Sequence, residues 1–225
     1  MIEMGNLNFR PLWRYEDALL EGLVTTLQLT AIAAVFGLLL GLACALALRR
    51  APAPFRFMIR GYIEIIRNTP PIIQIFIVFF VFPGMGVRLP PFEAASIALS
   101  LYFGAYAAEI IRSGLDSVPK AQVEAGHCLG LSAPQVFLHV VAAPALRNIY
   151  PSLTSQFVLL LLGTSIASQI STEELFHTAG VIDSRTFRSF EVYAVVAAIY
   201  IVTVSVFRVF FAALGRLAFR WPTRR

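Results

Sequence analysis

The feature that most constrains the fold is a series of long apolar runs that contain almost no charge. Residues 23–48, for example, include no charged side chain. A helix needs roughly 20 apolar residues to cross a hydrocarbon layer of about 30 Å, so a run of this kind can span a membrane. Two further runs are interrupted only by isolated charges, at Glu93, Glu109 and Arg208. We therefore predict five spans, over residues 23–48, 68–87, 92–111, 148–172 and 192–214.

The composition agrees with a helical membrane protein. Hydrophobic residues make up 58% of the chain and charged residues 14%, which is too apolar for an ordinary soluble domain. The runs are continuous and rich in Leu, Ala and Ile, whereas strands of a membrane barrel alternate apolar and polar residues. The expected fold class is therefore all-α integral membrane. Cys44 and Cys128 lack metal-ligand spacing, and no metal site is expected.

The uneven distribution of basic residues predicts the orientation of the chain. Lys and Arg accumulate in short cytoplasmic loops, so the first connection and the tail should lie in the cytoplasm. The N-terminal segment, residues 1–21, has two arginines against four acidic residues and is expected outside, with the first run as a retained signal anchor. One transmembrane domain is expected at residues 22–218, followed by a basic tail at 219–225. The arginines in question are Arg49, Arg50, Arg56 and Arg60, then Arg216, Arg220, Arg224 and Arg225.

A polar segment is inserted between the third and fourth runs, within the loop at about residues 116–138. Pro119 suits the first turn of a helix, Gly130 suits its end, and Pro134 disfavours its continuation. A short surface helix is therefore expected, on the cytoplasmic side according to the predicted orientation. From the residues alone, the segment is either a docking element for another protein or a plain polar connection.

The succession of Glu124, Ala125, Gly126 and Gly130 resembles the Glu-Ala-Ala-x-x-x-Gly loop of ABC-transporter permeases. In that family the loop seats in a groove on a cytoplasmic ATPase, and the resemblance implies an ATPase-coupling role for these four residues. Gly126 stands where the family has a second alanine. Since Gly costs roughly 1 kcal/mol relative to Ala in a helix, a looser coupling helix is expected.

A second run, which begins at Arg67, resembles the Arg-x-Thr-Pro-x-x-x-Gln sequence of permeases that import polar amino acids. Arg67 is expected near the inner interface, Thr69 beside the free amides of a helix start, and Gln74 in an apolar wall. The pair Pro70-Pro71 predicts that a helix begins or kinks there. The resemblance implies that Arg67, Thr69, Pro70 and Gln74 act in the translocation pathway or its gating. Without it, a snorkelling arginine and a proline kink explain the run.

Polar side chains also share one face of the third predicted span. Tyr102, Tyr106 and Glu109 are four and three residues apart, which is helical spacing, and Glu109 can pair with Arg112. An ionisable group inside a span is a functional candidate because burying it is costly, although a position near the cytoplasmic end lowers that cost. The segment resembles the Leu-x-x-x-x-Ala-Tyr-x-x-Glu-x-x-Arg run of the same permeases, which implies a structural or gating role for Tyr106 and Glu109.

Thr164 and Ser165 lie in the fourth span, where the family has Lys-Asp-Thr-Ser. Leu162 and Gly163 replace the two charged residues, so a substrate-facing role of the two hydroxyls competes with a simpler one. Hydroxyls inside spans often bond the preceding turn or a neighbouring helix. The resemblance continues through residues 173–191 on the outer side, where a solute-binding protein would dock. As isolated charges, the acidic residues there would be solvated.

The resemblance covers about residues 22–217 in order and implies a type I ABC importer permease for polar amino acids, similar to the histidine, glutamine and arginine/ornithine systems. Such permeases work in the bacterial inner membrane with ATPase subunits, which bind ATP and Mg, with a second permease and with an extracytoplasmic solute-binding protein. The chain has no Gly-x-x-x-x-Gly-Lys-Ser/Thr phosphate loop. ATP hydrolysis is therefore expected in a partner, and this chain is expected to be a transport subunit without a cofactor.

Other classes fit the sequence less well. An intramembrane enzyme would need a motif such as His-Glu-x-x-His or Gly-x-Ser-x-Gly, and neither occurs. An ion-coupled carrier should show paired repeats and acidic residues near the midplane, whereas the acids here lie near the ends of the runs. The basic residues flank the runs, which favours contact with membrane lipid and gives no reason to expect nucleic-acid binding. Permeation of another small solute, and a permease partner that is either a second copy or a related chain, stay open.

Overall fold

The computed structural model describes residues 7–219, and every regular element in that range is helical. The expectations for Arg220, Arg224, Arg225 and the first six residues fall outside the described residues. A short 3₁₀ turn, Arg10–Tyr15, leads into the first helix. The helices are α1 (Glu16–Arg50), α2 (Ala53–Arg67), α3 (Pro71–Phe76), α4 (Pro91–Asp116), α5 (Lys120–Cys128), α6 (Ala133–Gln135), α7 (Ala143–Gly163), α8 (Leu175–Thr186) and α9 (Ser189–Ala218).

Several helices continue through turns with a different hydrogen-bond pattern. α3 runs into a π-helical segment, Ile77–Val81, and then a 3₁₀ turn, Phe82–Met85. α6 continues through a second π-helical segment, Val136–Ala142, directly into α7, and α7 ends in a 3₁₀ turn, Thr164–Ile170. These segments keep the chain helical through each crossing, so backbone polar groups are satisfied within the chain, as a bilayer requires.

The number of spans agrees with the sequence. Four helical stretches are long and apolar enough to cross a membrane, and a fifth crossing is present if α2 and Pro71–Met85 are counted as one pair bent by 112°. The helix start or kink predicted at Pro70-Pro71 is therefore confirmed. The four unbent stretches are Arg10–Arg50, Pro91–Asp116, Ala133–Ile170 and Ser189–Ala218.

α2 is an amphipathic helix that the sequence analysis treated as a connection. Ile59 and Ile63 pack against the buried Ala108 of α4, and the Tyr62 hydroxyl donates a hydrogen bond of 2.6 Å to the carbonyl of Leu101. Apolar residues three to four positions apart thus place one face of α2 on the bundle. The many arginines of this segment, which suggested only a cytoplasmic loop, lie on other faces of the helix.

α1 and α4 approach closely along what we call the α1–α4 seam, formed by Gly37 and Gly41 on α1 and Ser100 to Ala108 on α4. A Cβ atom on Gly37 would lie 2.8 Å from the carbonyl oxygen of Ser100, and one on Gly41 would lie 2.7 Å from the Cβ of Ala107. Both distances are too short for a side chain. Small residues of this kind let helix backbones pack tightly in a bilayer, where dispersion contacts stabilise helix pairs.

α8 occupies part of the long segment between the fourth and fifth spans. Its apolar face packs on the start of α9 and on the N-terminal helical stretch Arg10–Arg50. Leu175, Ala179, Ile182 and Val192 are buried together there. The isolated charges of this segment predicted solvated acidic residues, which holds for the exposed Glu173 but not for the buried Glu174 and Glu191. The structure shows a packed helix instead, so the long connection is a structured cap over one end of the bundle.

Candidate functional site

The predicted short surface helix is present as α5. Glu124 and Ala125 are exposed on it, and Gly130 has a φ of +79°, the left-handed region that glycine enters without strain. The amide of Gly130 donates to the carbonyl of His127 at 3.0 Å, and that of Leu131 donates to the carbonyl of Gly126 at 3.2 Å. This pair of bonds is the Schellman arrangement that ends a helix, so the predicted stop at Gly130 is confirmed.

Gly126 differs from its neighbours on α5 because it is buried. A Cβ atom at this position would meet Cγ2 of Val136 at 3.2 Å and Cγ2 of Val140 at 3.4 Å. Gly126 therefore lets α5 pack closely against the π-helical segment Val136–Ala142, and it is not accessible to a partner protein. Of the four residues to which the resemblance gives a coupling role, Glu124, Ala125 and Gly130 are exposed. Gly126 lies on the buried face of the helix.

The chain turns directly from α5 into the next helix. Gln135 Oε1 accepts hydrogen bonds from the backbone amide of Ser132 at 2.9 Å and from its hydroxyl at 3.0 Å. Pro134 lies in the first turn of α6, where its missing amide costs nothing. A capped start of α6 immediately after a Schellman end separates α5 from the helix that follows it.

The run after Arg67 forms a hinge between α2 and α3. The side-chain amide of Gln74 is buried and donates to the carbonyls of Ile66 at 2.8 Å and Thr69 at 2.9 Å. The Thr69 hydroxyl donates to the carbonyl of Ile65, at the end of α2. The expectation that Thr69 serves the free amides of the following helix is therefore wrong, because its hydroxyl bonds the preceding helix and no side chain caps α3. These contacts satisfy the end of α2 and fix the bend around Pro70.

Arg67 lies against the polar face of α4, a contact that was not predicted from the sequence. The Arg67 guanidinium carbon lies 5.4 Å from the centre of the Tyr106 ring, within the range of a cation–π contact. The rings of Tyr102 and Tyr106 are 4.9 Å apart. Glu109 accepts a hydrogen bond from Nε of Arg112 at 3.0 Å, so the predicted pair forms.

A cavity of about 520 Å³ opens between the end of α1, α2 and the end of α4. We call it the arginine cavity. Arg112 also bonds Asp116 at 2.9 Å, and Arg49 lies 3.9 Å from the same carboxylate. The charge network therefore ties α1 to α4 where both helices end. The charged residues that line the cavity are Arg49, Arg60, Glu64, Arg67, Glu109, Arg112 and Asp116.

Thr164 and Ser165 bond within their own helix. The Thr164 hydroxyl donates to the carbonyl of Leu161 at 2.7 Å, and the Ser165 hydroxyl donates to that of Leu162 at 2.8 Å. Thr164 is fully buried, whereas Ser165 is partly accessible. The sequence left two interpretations open, a substrate-facing role and hydrogen bonding to the preceding turn, and the structure shows the second. It agrees with the presence of Leu162 and Gly163 where the family has Lys and Asp.

Sequence reasoning missed the buried cluster around Glu174, which was expected to be solvated. Its carboxylate is 0% exposed and accepts from the backbone amides of Phe176 at 3.0 Å and His177 at 2.7 Å. The hydroxyl of Thr26 donates from α1 at 3.4 Å and that of Tyr200 from α9 at 3.2 Å. Burial raises the pKa of Glu174, and these four donors partly oppose that rise. The one signal in the sequence is an acidic residue just before a helix start.

Comparison with known proteins begins with a family profile. The profile described as "Binding-protein-dependent transport system inner membrane component" matches residues 37–220, which is most of the chain. The match includes the hinge after Arg67, the polar face of α4, the whole of α5 and the span that holds Thr164.

Individual relatives and a solved structure also align with most of the chain. The L-cystine transport system permease protein of Bacillus subtilis is 42% identical over 164 residues, 73% of this chain and 70% of the relative. The octopine transport system permease protein of Rhizobium meliloti is 35% identical over 232 residues, 96% of this chain and 92% of the relative. A solved amino acid ABC transporter crystallised with histidines has a TM-score of 0.88 and 34% identity, over 94% of this chain and 99% of that one.

Proposed function

Because the chain belongs to the family of binding-protein-dependent transport system inner membrane components, and is thus a permease of an ABC importer, we propose that its solute is a polar amino acid. The proposal is supported by the cargoes named for the relatives, which include cystine, glutamine, arginine and octopine. It is also supported by the likeness to the amino acid transporter. The pathway would be formed by the spans, with chemistry confined to partner subunits.

The observation that supports a coupling role is α5, a mostly exposed helix that ends in a Schellman motif directly before a capped helix start. Glu124 and Ala125 project from it, Gly130 ends it, and Gly126 packs it against the segment that continues into α7. A force applied to α5 from the cytoplasm would therefore act directly on a membrane-spanning helix. This is the arrangement needed to convert closure of an ATPase pair into a movement of the spans.

The partners implied by this role are separate subunits. ATP and Mg would be bound by an ABC ATPase that contacts α5, and a second permease, either another copy or a related chain, would complete the pathway. A solute-binding protein would deliver the amino acid on the outer side, near α8. The assembly would lie in the inner membrane of a bacterium, with the N-terminal segment outside and the C-terminal tail in the cytoplasm.

Within the spans, we assign gating to the contacts at the predicted inner end. The contact of Arg67 with Tyr106 bridges α2 and α4, and the Glu109–Arg112 pair lies beside it on α4. Gln74 and Thr69 hold the bend beside them. Movement of α2 relative to α4 would break the Arg67 contact first, because it crosses between the two helices, whereas the Glu109–Arg112 pair lies within α4.

Competition uptake tests the substrate class. Cells that carry the complete system should accumulate a radiolabelled polar amino acid, such as glutamine or cystine, and unlabelled polar amino acids should compete. A strain that lacks only this chain provides the control. Accumulation of a sugar or a metal ion that amino acids do not inhibit would exclude the proposed substrate while leaving the family membership intact.

A further inference from the structure

Arg208 is a charged residue inside the last membrane-spanning helix. α9 runs from Ser189 to Ala218 and is long and apolar enough to cross a membrane without a bend. With a rise of 1.5 Å per residue, Arg208 lies about 15 Å along the helix axis from Ala218. Long basic side chains extend to the interface when they lie near a helix end, whereas an arginine further inside a span is costly unless it has a polar environment or an anionic partner.

The chain itself offers Arg208 no anionic partner. Among residues 7–219, no carboxylate lies within 4.0 Å of its guanidinium group, and the side chain is exposed. Arg208 lines a cavity of about 540 Å³ between α7 and α9, which we call the α7–α9 cavity, and of the described residues that line it Arg208 alone is charged. Leu162, which stands where the family has lysine, also lines this cavity. The positive charge of the cavity therefore comes from α9 rather than from α7.

The α7 wall of this cavity continues into a row of exposed polar side chains. Asn148, Ser152 and Ser155 are exposed and are four and three residues apart, so they share one face of α7. Ser155 lines the α7–α9 cavity, and Asn148 and Ser152 line a neighbouring cavity against α4. Polar and charged side chains at membrane depth normally face a water-filled space or another protein rather than lipid. This face of α7, with Arg208 beside it, is therefore suited to an aqueous path.

From this arrangement we propose that Arg208 binds the α-carboxylate of the solute during its passage, with the Ser155 hydroxyl as a second donor. The inference rests on the proposed function, since every amino acid carries this carboxylate whatever its side chain. A guanidinium group forms paired, charge-assisted hydrogen bonds to a carboxylate, and these are stronger away from bulk water. Such a site would accept amino acids with different side chains and would reject solutes that lack an anionic group.

Solute binding to the purified permease–ATPase complex, without a solute-binding protein, tests this proposal. Radiolabelled glutamine, arginine and cystine are titrated against the wild-type complex and against Arg208→Gln, and each is compared with its α-amide, which lacks the carboxylate. We expect the wild-type complex to bind the amino acid about tenfold more tightly than the amide, as one hydrogen bond between charged groups implies. Arg208→Gln should bind both equally, and Arg208→Lys should retain part of the preference.

Thiol labelling tests the aqueous face independently of any solute. With the exposed Cys128 replaced by serine, Ser155→Cys and Arg208→Cys should react with a membrane-impermeant sulfonated methanethiosulfonate reagent. Val206→Cys is the matched control, because Val206 is 61% exposed and lies two residues from Arg208, about 160° around the helix. It should stay unlabelled because it faces lipid tails. Labelling of Val206→Cys without labelling of Ser155→Cys and Arg208→Cys would overturn the proposal.

Labelling of Ser155→Cys with solute present gives a second measurement in a chain that keeps Arg208, so the proposal stays testable even where Arg208→Gln fails to assemble. Protection by the amino acid and not by its α-amide supports the proposal, and equal protection by both rejects it.

A failure of this site is distinguishable from a failure of the proposed function. If amino acids do not inhibit uptake by the wild-type system, the substrate class is wrong and the carboxylate site is rejected with it. If amino acids inhibit uptake but Arg208→Gln still prefers the amino acid to its amide, the proposed function stands and Arg208 is not the carboxylate site.

Discussion

At the scale of single residues, the carboxylate of Glu174 joins three helices at one buried point. It caps the first turn of α8 and accepts hydrogen bonds from Thr26 of α1 and Tyr200 of α9. A lost cap costs about 0.5–2 kcal/mol, and a buried hydrogen-bonding group left unsatisfied costs about 1–3 kcal/mol. We therefore expect Glu174→Ala to lower the temperature at which the purified protein loses its native state, measured by a thermal aggregation assay.

Glu173→Ala provides the matched control for this change. Glu173 is the preceding residue and is exposed, so its removal should leave the thermal midpoint within a degree or two, given that surface substitutions cost about 0.5 kcal/mol or less. Equal midpoints for the two variants would show that the buried cluster contributes nothing to stability.

The exposed residues of α5 should act on coupling rather than on folding. Glu124→Lys reverses an exposed charge, and Gly130→Val places a β-branched residue at a φ of +79°, at a cost of roughly 1 kcal/mol or more. Both variants should insert into the membrane normally and lose ATPase co-purification or solute-stimulated ATP hydrolysis.

Gly130→Asn is the control for the second variant, because asparagine tolerates the left-handed conformation better than other side chains. It should keep most of the coupled hydrolysis that Gly130→Val loses. Full transport by Glu124→Lys and Gly130→Val together would mean that α5 is only a connection between two spans.

The residues whose structural roles were predicted correctly are those whose contacts lie within a few positions along the chain. Gly130 was predicted because a helix end with a left-handed residue strongly favours glycine, and the Glu109–Arg112 pair because a spacing of three brings side chains together on a helix. Thr69 and Glu174 were misplaced for different reasons. The Thr69 hydroxyl bonds the carbonyl four residues before it, which is a local alternative to capping the next helix, whereas Glu174 is buried by α1 and α9, whose approach the nearby sequence does not show.

At the scale of whole elements, the α1–α4 seam leaves no room for side chains. A Cβ atom on Gly41 would lie 2.9 Å from the amide nitrogen of Ala108 in addition to its contact with Ala107. Gly41→Val must therefore separate α1 from α4, and overpacking of this kind typically costs about 1–3 kcal/mol. We expect a lower yield of folded protein in detergent and a lower thermal midpoint.

Gly61→Ala is the corresponding control on α2, where a new Cβ atom would meet nothing within 4 Å. This substitution should be neutral or stabilising by up to about 1 kcal/mol, since alanine has the higher helix propensity. If Gly41→Val proved as stable as Gly61→Ala, the two helices would not be held as closely as the structure shows.

Elements were predicted according to the strength of their apolar pattern. The long runs identified the spans because the thickness of the hydrocarbon layer sets the number of apolar residues that a crossing helix needs. α2 was not predicted, since its arginines dominated the composition while Ile59 and Ile63 found their partners only in the folded bundle. α8 was missed because its buried face is formed by few residues, among them Leu175 and Ala179.

At the scale of the whole molecule, the orientation across the membrane is the prediction with the broadest reach. The arginines of the first connection and of the tail predict that both segments lie in the cytoplasm. A reporter that is active only in the cytoplasm should function when fused after Arg225 or inserted in residues 131–135, and should be silent when fused before Leu7. The reverse pattern would invert the assignment of α5 and would remove it from reach of an ATPase.

The α1–α4 seam also bears on how the sequence can evolve. Phe36 and Leu39 of α1 are 61% and 60% exposed, and between lipid tails one aliphatic or aromatic side chain substitutes for another at little cost. Gly37 and Gly41, on the opposite face of the same helix, admit almost no substitution. One face of α1 therefore tolerates substitution and the opposite face does not. Among proteins that descend from this chain, the positions that vary in α1 should recur with the period of the helix, although the whole segment is hydrophobic.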